Sequence, residues 1–532
     1  MVWTGRFQGY NGERFRKDLV SGLIVGIVAI PLGMAFAIAV GVKPEYGLYT
    51  TIVAGILVSL FGGSKYQIAG PTGAFIPILL AIVLQYGYEN LLIAGMLSGI
   101  ILLALGIFKL GSLIQYVPKP VMIGFTSGIA VIIFSGQIPN ALGLTGLEKH
   151  EDFLSNMREI AVHISAVDWN SVMTAAVCFL TIWLTQRFIP KVPGPLVGLV
   201  VSSVFAALVL KGEVVTIQSS FGAIPAALPQ FQAMAISWER IVALIGPALM
   251  IAMLGGIESL LSAAVADDMT ETRHNSNREL IGQGIANIVA PFFGGIPATG
   301  AIARTATNIK TGAVSPMSGV IHGVVVCLVL VIFAPYASHI PLASMAPILM
   351  VVAWNMSERK SFIHVLRTKT SDSLVMAVTF ALTVFTTVTT AVLVGIGLAI
   401  VFFIARMRIA VKETAASAEG MTVCEIEGPL FFGAANRFEQ LILDKMNSGS
   451  RVLLLQMAKV PYLDTTGESK LTGIVKHIKR NGGTVMLAGV QAQPMEVLRR
   501  TQLIQLIGED HIFDNAEEAV LWRSMHDSVK CR

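Results

Sequence analysis

Charged residues are scarce in this chain of 532 residues. Asp, Glu, Lys and Arg together make up 13% of it, while hydrophobic residues make up 54% and the mean hydropathy is +0.71. A soluble globular protein carries about 25% charged residues. So few charges cannot cover a water-facing surface of this size, so lipid must surround most of the chain. The composition predicts a polytopic α-helical membrane protein.

Several signatures of other protein classes are also missing. The four cysteines are scattered, which excludes a disulfide scaffold and a zinc site by spacing. No long Lys/Arg run occurs, so we expect no nucleic-acid partner. No GxSxG elbow, Walker A motif or HExxH motif occurs, which argues against a membrane enzyme and against ATP-driven transport. We therefore predict no enzymatic activity, no metal and no cofactor other than a coupling ion.

Apolar segments recur from about residue 18 to residue 406. Many have about the 20 residues that a helix needs to cross a bilayer. Those that begin near Thr72 and Thr299 are too short for a full crossing. The fourteen predicted spans lie near residues 18–36, 43–62, 72–86, 90–108, 118–137, 169–187, 194–211, 240–265, 278–294, 299–310, 314–335, 340–355, 371–387 and 389–406.

The distribution of basic residues predicts the orientation. Arg6, Arg14, Arg16 and Lys17 precede the first span, and most other loop Lys and Arg residues fall on the same side when crossings are counted. Basic loops face the cytoplasm. We therefore expect a multi-pass protein of the cell membrane with both termini in the cytoplasm.

The pattern of charged and apolar residues changes near the C-terminus. Residues 1–412 form the predicted transport domain, 413–420 a small polar linker, and 421–532 a soluble domain. In the last, residues 421–428, 451–457 and 482–490 are typical of strands, and 437–446, 467–480 and 495–502 of helices. This alternation predicts a small cytoplasmic α/β domain.

Two short segments of the transport domain resemble each other. Gly70-Pro71-Thr72-Gly73-Ala74-Phe75 and Pro297-Ala298-Thr299-Gly300-Ala301-Ile302 each open a short apolar segment, the third and the tenth. Each is third in a set of seven spans, residues 18–211 and 240–406. Because seven is odd, the second set enters the membrane from the opposite side. The chain is thus predicted to be an inverted repeat, whose paired interrupted spans mark a transporter's central site.

Such interrupted helices can bind an anion. Glycine and proline break the helix, and a helix that starts at the midplane leaves its first N–H groups unpaired at the positive end of its dipole. Two such ends facing each other form an anion site. The predicted substrate-binding residues are Thr72, Gly73, Ala74, Phe75, Thr299, Gly300 and Ala301. The alternative is ordinary glycine-mediated helix packing.

Ionisable residues inside spans are costly and suggest function. Glu258 lies in the middle of the eighth span, with Ser262 one turn later on the same face. This pair could carry a proton or bind Na⁺, or Glu258 could only pair with a neighbouring helix. Arg304, just inside the tenth segment, could face the anion or anchor the helix at the cytoplasm. Together Glu258 and Arg304 suggest a charge pair, whereas His322 suggests a hydrogen-bond partner in helix packing.

Several segments resemble the SulP sulfate-permease family of anion transporters, which carry a C-terminal STAS domain. They are QIAGPTGAF at 67–75, VADDMTETRHNSNRELIGQGIANI at 265–288, GGIPATGAIARTATNIKTGAVSPMSG at 294–319 and VPYLDTTGESKL at 460–471. The resemblance covers nearly the whole chain. It implies seven plus seven spans in core and gate domains, a substrate between the third and tenth spans, and a homodimer with cytoplasmic STAS domains.

The resemblance also implies roles for two charged residues. Glu258 and Arg304 match the positions that serve coupling and anion binding in proton-coupled sulfate carriers. Sodium-coupled bicarbonate members look to have Asp and Thr in the eighth span and no such Arg, which favours protons here. Other members carry dicarboxylates or halides.

The STAS segment has Asp464-Thr465-Thr466-Gly467 where related signalling proteins have a phosphorylated loop, and Thr465 stands at the place of their Ser. We expect Thr465 and Thr466 to cap the following helix, and the domain to serve dimerisation or a regulatory partner.

The predicted function is secondary active transport of small anions, by proton-coupled symport of sulfate or a similar oxyanion. The alternatives are a Na⁺-coupled bicarbonate or proton-coupled dicarboxylate symporter, an uncoupled anion channel or exchanger, and a membrane sensor that signals through the STAS domain.

Overall fold

The structure is a computed structural model that describes residues 6, 9–111, 118–189, 192–211, 213–367, 371–406, 410–413, 421–430, 438–443 and 452–530. Most of the predicted linker, residues 414–420, lies outside this description. The chain divides into two compact units, Met1–Gly397 and Leu398–Arg532.

A helix occupies each of the fourteen positions predicted to span the membrane, within the described ranges. The first seven are α1 Gly12–Val40, α2 Pro44–Phe61, α3 Ile76–Tyr86, α4 Tyr88–Ile107, α5 Lys119–Gly136, α6 Trp169–Phe188 and α7 Gly194–Leu208. The second seven are α8 Trp238–Thr270, α9 Ser276–Val289, α10 Ile302–Lys310, α11 Met317–Ala337, α12 Leu342–Met356, α13 Ser371–Phe385 and α14 Val388–Arg406. Short helices at Ile138–Leu142, Phe153–Val162, Ile217–Phe221 and Arg359–Arg367 lie between them.

Seven of the helices in the described residues are long and apolar enough to cross a bilayer. They are α1, α2, α4, α5 together with the turn after it, α6, α8 and α11. Six of the other helices have 15 residues or fewer, namely α3, α7, α9, α10, α12 and α13. α3 and α10 have 11 and 9 residues, which at about 1.5 Å per residue covers only half of a bilayer core of about 30 Å. The total number of crossings therefore stays a prediction.

Glycines allow α4 and α9 to pack with their backbones in contact. A Cβ atom added at Gly284 would lie 2.8 Å from the carbonyl oxygen of Gly99 and 2.6 Å from the backbone nitrogen of Leu103. A Cβ atom added at Gly99 would lie 2.7 Å from the carbonyl oxygen of Gly284. Small residues permit such close approach between membrane helices, which is a main source of their attraction.

Two buried carboxylates fix the turns that lead to the short helices. Glu279 of α9 accepts hydrogen bonds from the backbone nitrogens of Gly63, at 2.8 Å, and Ser64, at 3.1 Å. Asp18 of α1 accepts from those of Val314, at 2.8 Å, and Ser315, at 3.1 Å. Backbone groups away from water need such partners. The segment before α3 and the segment after α10 are therefore each held by a neighbouring helix.

The C-terminal unit is a five-stranded sheet with helices, and the predicted α/β class is confirmed. Its strands are β3 Ala410–Glu413, β4 Met421–Glu427, β5 Val452–Lys459, β6 Thr484–Ala488 and β7 Ile512–Phe513, in that order across the sheet. β3 is antiparallel to β4, and all other neighbours are parallel. Its helices lie at 438–443 and at α15 Thr465–Arg480, α16 Ala492–Arg500, α17 Leu503–Ile507 and α18 Ala516–Lys530.

The sheet begins earlier than the sequence predicts. β3 consists of residues that the sequence assigned to the end of the transport domain and to the linker, because a strand of four residues is too short for a recognisable alternation of apolar and polar positions. The predicted helix at 437–446 is helical over its described part, 438–443.

The predicted capping role of Thr465 and Thr466 is wrong. The N-cap residue of α15 is Asp464, whose carboxylate accepts a hydrogen bond from the backbone nitrogen of Gly467 at 2.7 Å. Thr465 and Thr466 already belong to the helix and are exposed. An Asp at this position both caps the helix and suits the positive end of its dipole.

We predict that Gly284→Ala lowers the thermal stability of the purified protein. The added methyl group would overlap backbone atoms of α4, and overpacking of this kind costs about 1–3 kcal/mol. Gly246→Ala in α8 is the matched control, because no atom lies within 4 Å of a Cβ added there. The midpoint of thermal unfolding in detergent measures both variants. Equal midpoints for the two would contradict the close contact of α4 with α9.

Candidate anion site

The two Thr-Gly-Ala segments lie side by side in the structure. Two-residue strands β1, Ala69–Gly70, and β2, Thr299–Gly300, pair antiparallel, with Ala69 opposite Gly300 and Gly70 opposite Thr299. Irregular backbone inside a membrane needs partners within the protein. The backbone groups of the two strands are each other's hydrogen-bond partners. The helices α3 and α10 therefore both start beside this pair of strands, which we call the crossing.

The first half of the site begins at Thr72. A 3-10 turn, Gly73–Phe75, follows it and runs into α3 at Ile76. The backbone at Gly73 faces a tight apolar wall, since a Cβ atom there would lie 3.2 Å from Ile133 of α5 and 3.4 Å from the sulfur of Met356 of α12. Thr72 and Phe75 are buried. The predicted half-helix is present, but its first turn is 3-10 rather than α-helical.

The second half of the site starts at Ala301, the N-cap residue of α10. No side chain caps this end of the helix. Two predicted donors are already engaged, because the backbone nitrogen of Gly300 donates to the hydroxyl of Ser259 at 3.0 Å and that of Ala301 donates to the carbonyl of Ile68 at 2.8 Å. Donors for an anion must therefore come from the first turn of α10, beyond these two residues.

The two threonines play different parts. Thr72 donates its hydroxyl hydrogen to the Glu258 carboxylate at 2.8 Å. Thr299 is fully buried, and its hydroxyl oxygen lies 2.8 Å from that of Ser259 and 3.1 Å from the carbonyl of Gly255. Thr299 therefore holds β2 against α8, while Thr72 is bonded to Glu258.

Glu258 of α8 is half-buried and lies at the start of α3, where it bonds to Thr72. Ser262, one turn further along α8, is fully buried and donates to the hydroxyl of Thr305 in α10 at 3.2 Å. That same Thr305 hydroxyl accepts from the backbone nitrogen of Ile68 at 3.0 Å. Ser262 is thus part of the packing between α8, α10 and the segment before β1, and it makes no hydrogen bond to Glu258 among the described residues.

Arg304 points into the site and is not a cytoplasmic anchor. Its side chain is 3% exposed, and its Nη2 donates to the carbonyl of Pro71. Its Nη1 has no hydrogen-bond partner within the described residues and lies against Gly70, where any Cβ would collide with it. No ion pair joins Arg304 to Glu258 in that part of the chain; instead the two flank the segment Pro71–Thr72 from different helices.

His322 packs between helices, against Gly55 of α2, but in the described part of the chain it lacks the hydrogen bond that the sequence suggested. Its ring is fully buried in α11, yet neither ring nitrogen has a hydrogen-bond partner among the described residues.

Three polar residues that the sequence analysis did not assign hold the site in place. Ser259 bonds to β2 as described, and Gln67 donates to the carbonyl of Ser259 at 3.0 Å. The side-chain amide of Asn287 in α9 donates to the carbonyl of Ala298 and accepts from its backbone nitrogen, both at 2.8 Å. Ser259 follows Glu258 and Gln67 begins the segment 67–75, so their positions in the sequence could have indicated them. No feature of the sequence indicated Asn287.

The two segments differ in burial at equivalent positions. Phe75 and Ile302 each follow the sequence Thr-Gly-Ala, but Phe75 is 1% exposed and Ile302 is 39% exposed. The side chain that follows the first Thr-Gly-Ala segment is thus packed inside the protein, whereas the one that follows the second segment is exposed.

Residues 15–379 match the model of the Sulfate permease family, and residues 413–519 match that of the STAS domain. YvdB of Bacillus subtilis, which carries a sulfate-transporter name, is 54% identical over 527 residues, covering 97% of this chain and 99% of its own. The bicarbonate transporter BicA of Picosynechococcus is 28% identical, covering 96% of this chain and 94% of its own.

Two solved structures are similar as well. The transmembrane domain of a cyanobacterial BicA matches with a TM-score of 0.64 at 26% identity, covering 73% of this chain and 98% of that one. The murine Slc26a9 anion transporter in the inward-facing state shares the fold, with a TM-score of 0.87 at 18% identity over 97% of this chain and 92% of that one. The α-helical membrane fold followed by a STAS domain, predicted from the sequence, is thereby confirmed. The chain belongs to the sulfate permease family of anion transporters.

Proposed function

We propose that the protein is a proton-coupled symporter of sulfate or a similar oxyanion that works by alternating access. The names of its relatives support a small oxyanion, since they include sulfate and bicarbonate transporters. The site supports it too, because the first turn of α10 and the guanidinium of Arg304 both favour an anion beside Pro71 and Thr72.

One observation carries the proposal of proton coupling. Thr72 lies at the start of the α3 half of the site, and its hydroxyl donates a hydrogen bond to the carboxylate of Glu258 at 2.8 Å. An ionised Glu258 would therefore stand next to the bound anion. Like charges about 4 Å apart repel by roughly 4 kcal/mol at an effective dielectric constant of about 20. A proton on Glu258 removes this repulsion, so the proton and the anion bind more favourably together than either alone.

The engagement of Ser262 favours protons over sodium. A sodium site at Glu258 would need further oxygen ligands, and the sequence offered Ser262 for this purpose. Its hydroxyl instead bonds to Thr305 of α10. The Na⁺-coupled bicarbonate symporter and the proton-coupled dicarboxylate symporter remain the alternatives for this site. An uncoupled channel or exchanger and a STAS-linked sensor are the alternatives of other classes.

In the proposed transport cycle, the anion and the proton bind together from outside. The core domain then moves against the gate domain, and both ligands leave to the cytoplasm. We place the protein in the cell membrane with both termini in the cytoplasm, as a homodimer whose STAS domains bind a regulatory partner.

Uptake into proteoliposomes tests the proposal. Labelled sulfate, bicarbonate and fumarate are each offered with an inward proton gradient, an inward Na⁺ gradient or neither. We expect sulfate uptake driven by the proton gradient alone. Uptake driven by Na⁺ would assign Glu258 to a cation site, and equal flux under all conditions would establish an uncoupled pathway.

We predict that Glu258→Gln abolishes stimulation of sulfate uptake by the proton gradient while sulfate binding persists. The amide keeps a hydrogen-bonding partner for Thr72 but cannot exchange a proton. Glu239→Gln, in the exposed first turn of the same helix, is the matched control and should behave as the unmodified protein. Full gradient-driven uptake by the Glu258→Gln protein would remove this residue from the coupling mechanism.

We also predict that Arg304→Lys raises the KM for sulfate roughly tenfold or more, because a hydrogen bond to a charged group contributes about 1.5–3 kcal/mol. Lysine keeps the charge but lacks the planar fork that can contact Pro71 and an oxyanion together. The control is Lys310→Gln, which removes a positive charge at the exposed far end of the same helix and should leave the KM unchanged. An unchanged KM in the Arg304→Lys protein would show that Arg304 does not contact the anion.

A further inference from the structure

The short helix Arg359–Arg367 exposes apolar and basic side chains together. It lies between α12 and α13, two apolar helices of the membrane unit, and the predicted topology puts it along the edge of the bilayer. None of its nine residues is buried. Its exposed side chains include two large apolar ones, Ile363 and Leu366, each 48% exposed.

The two faces of this helix follow from its geometry. Successive residues are rotated by about 100° around a helix axis. Ser361, Phe362 and Val365 therefore share the face that packs on α13, where the ring of Phe362 lies 5.3 Å from that of Phe380 and the Val365 carbonyl accepts from Ser373 at 2.6 Å. All other side chains of the helix are exposed.

The exposed face is itself divided into an apolar and a basic part. Leu366 and Ile363 lie on one side, and Lys360, His364 and Arg367 form a stripe beside them. No member of this stripe takes part in an ion pair within the described residues. Arg359 begins the helix, and its guanidinium lies 3.6 Å from the centre of the Trp354 ring of α12, which is itself 55% exposed. A helix with apolar side chains on one side and basic ones on the other is typical of elements that lie in a membrane interface.

We propose that the helix Arg359–Arg367 is a binding surface for the headgroup of an anionic phospholipid. Lys360 and Arg367 contact the phosphate, while Ile363, Leu366 and the Trp354 ring contact the acyl chains. A lipid is the partner that fits, because charge and apolar surface lie side by side on an element fixed at the bilayer edge by the helices at both its ends. The site is independent of the anion that the protein transports.

Quenching of Trp354 fluorescence tests this proposal on the full-length protein in phosphatidylcholine nanodiscs. Brominated phosphatidylglycerol is titrated in, and the Trp354 signal is the difference between the unmodified protein and Trp354→Phe. Each basic residue near anionic lipid contributes about 1 kcal/mol, or about fivefold in affinity. We expect the half-saturating concentration to rise about 25-fold in the double variant Lys360→Gln/Arg367→Gln.

The control removes the same charge elsewhere. Lys476→Gln/Arg480→Gln changes two exposed residues of α15 in the C-terminal unit and should leave the titration unchanged. Brominated phosphatidylcholine should quench Trp354 much less at equal concentration, and dissolved glycerol 3-phosphate should not displace the lipid. Equal quenching by both lipids, displacement by glycerol 3-phosphate, or an unchanged titration in the Lys360→Gln/Arg367→Gln protein would each overturn the proposal.

Discussion

The backbone pairing of β1 with β2 is the constraint on which the rest of the site depends. Two helices that start inside a membrane would leave several peptide groups without partners, and each such group is costly in hydrocarbon. The strands Ala69–Gly70 and Thr299–Gly300 meet this cost by bonding to each other. Everything that defines the proposed anion site is placed relative to this crossing: the ends of α3 and α10, the Thr72 hydroxyl and the Arg304 guanidinium.

Polar side chains of the surrounding helices keep the crossing in position. Ser259 and Thr299 join β2 to α8, and the Asn287 amide joins the preceding residue to α9. The turn before β1 is held by Glu279 and the turn after α10 by Asp18. Each of these groups is buried and bonded, which makes the arrangement rigid as well as stable. Binding of a ligand can then move whole helices without breaking the hydrogen bonds that hold the site together.

Much of this architecture could be predicted from the sequence, because hydropathy and repeated glycine motifs are local signals. The structure has short helices after Thr72 and Thr299, and it has Glu258 in the middle of α8 and Arg304 in the first turn of α10. The partners of individual polar groups could not be predicted, because they depend on contacts between distant segments. Thr299 and Ser262 looked like ligands but bond within the protein, Arg304 contacts Pro71 rather than Glu258, and Asp464 rather than a threonine caps α15.

The separation of the two strands along the chain has a consequence for how the protein is made. Ala69 pairs with Gly300, so more than two hundred residues must be synthesised after the first strand before the second one exists. Until then, the first repeat holds a break in a membrane segment whose peptide groups have no final partner. Such long-range pairing is slow to form. The pairing that completes the start of α3 can therefore form only after residues 299–300 have been synthesised.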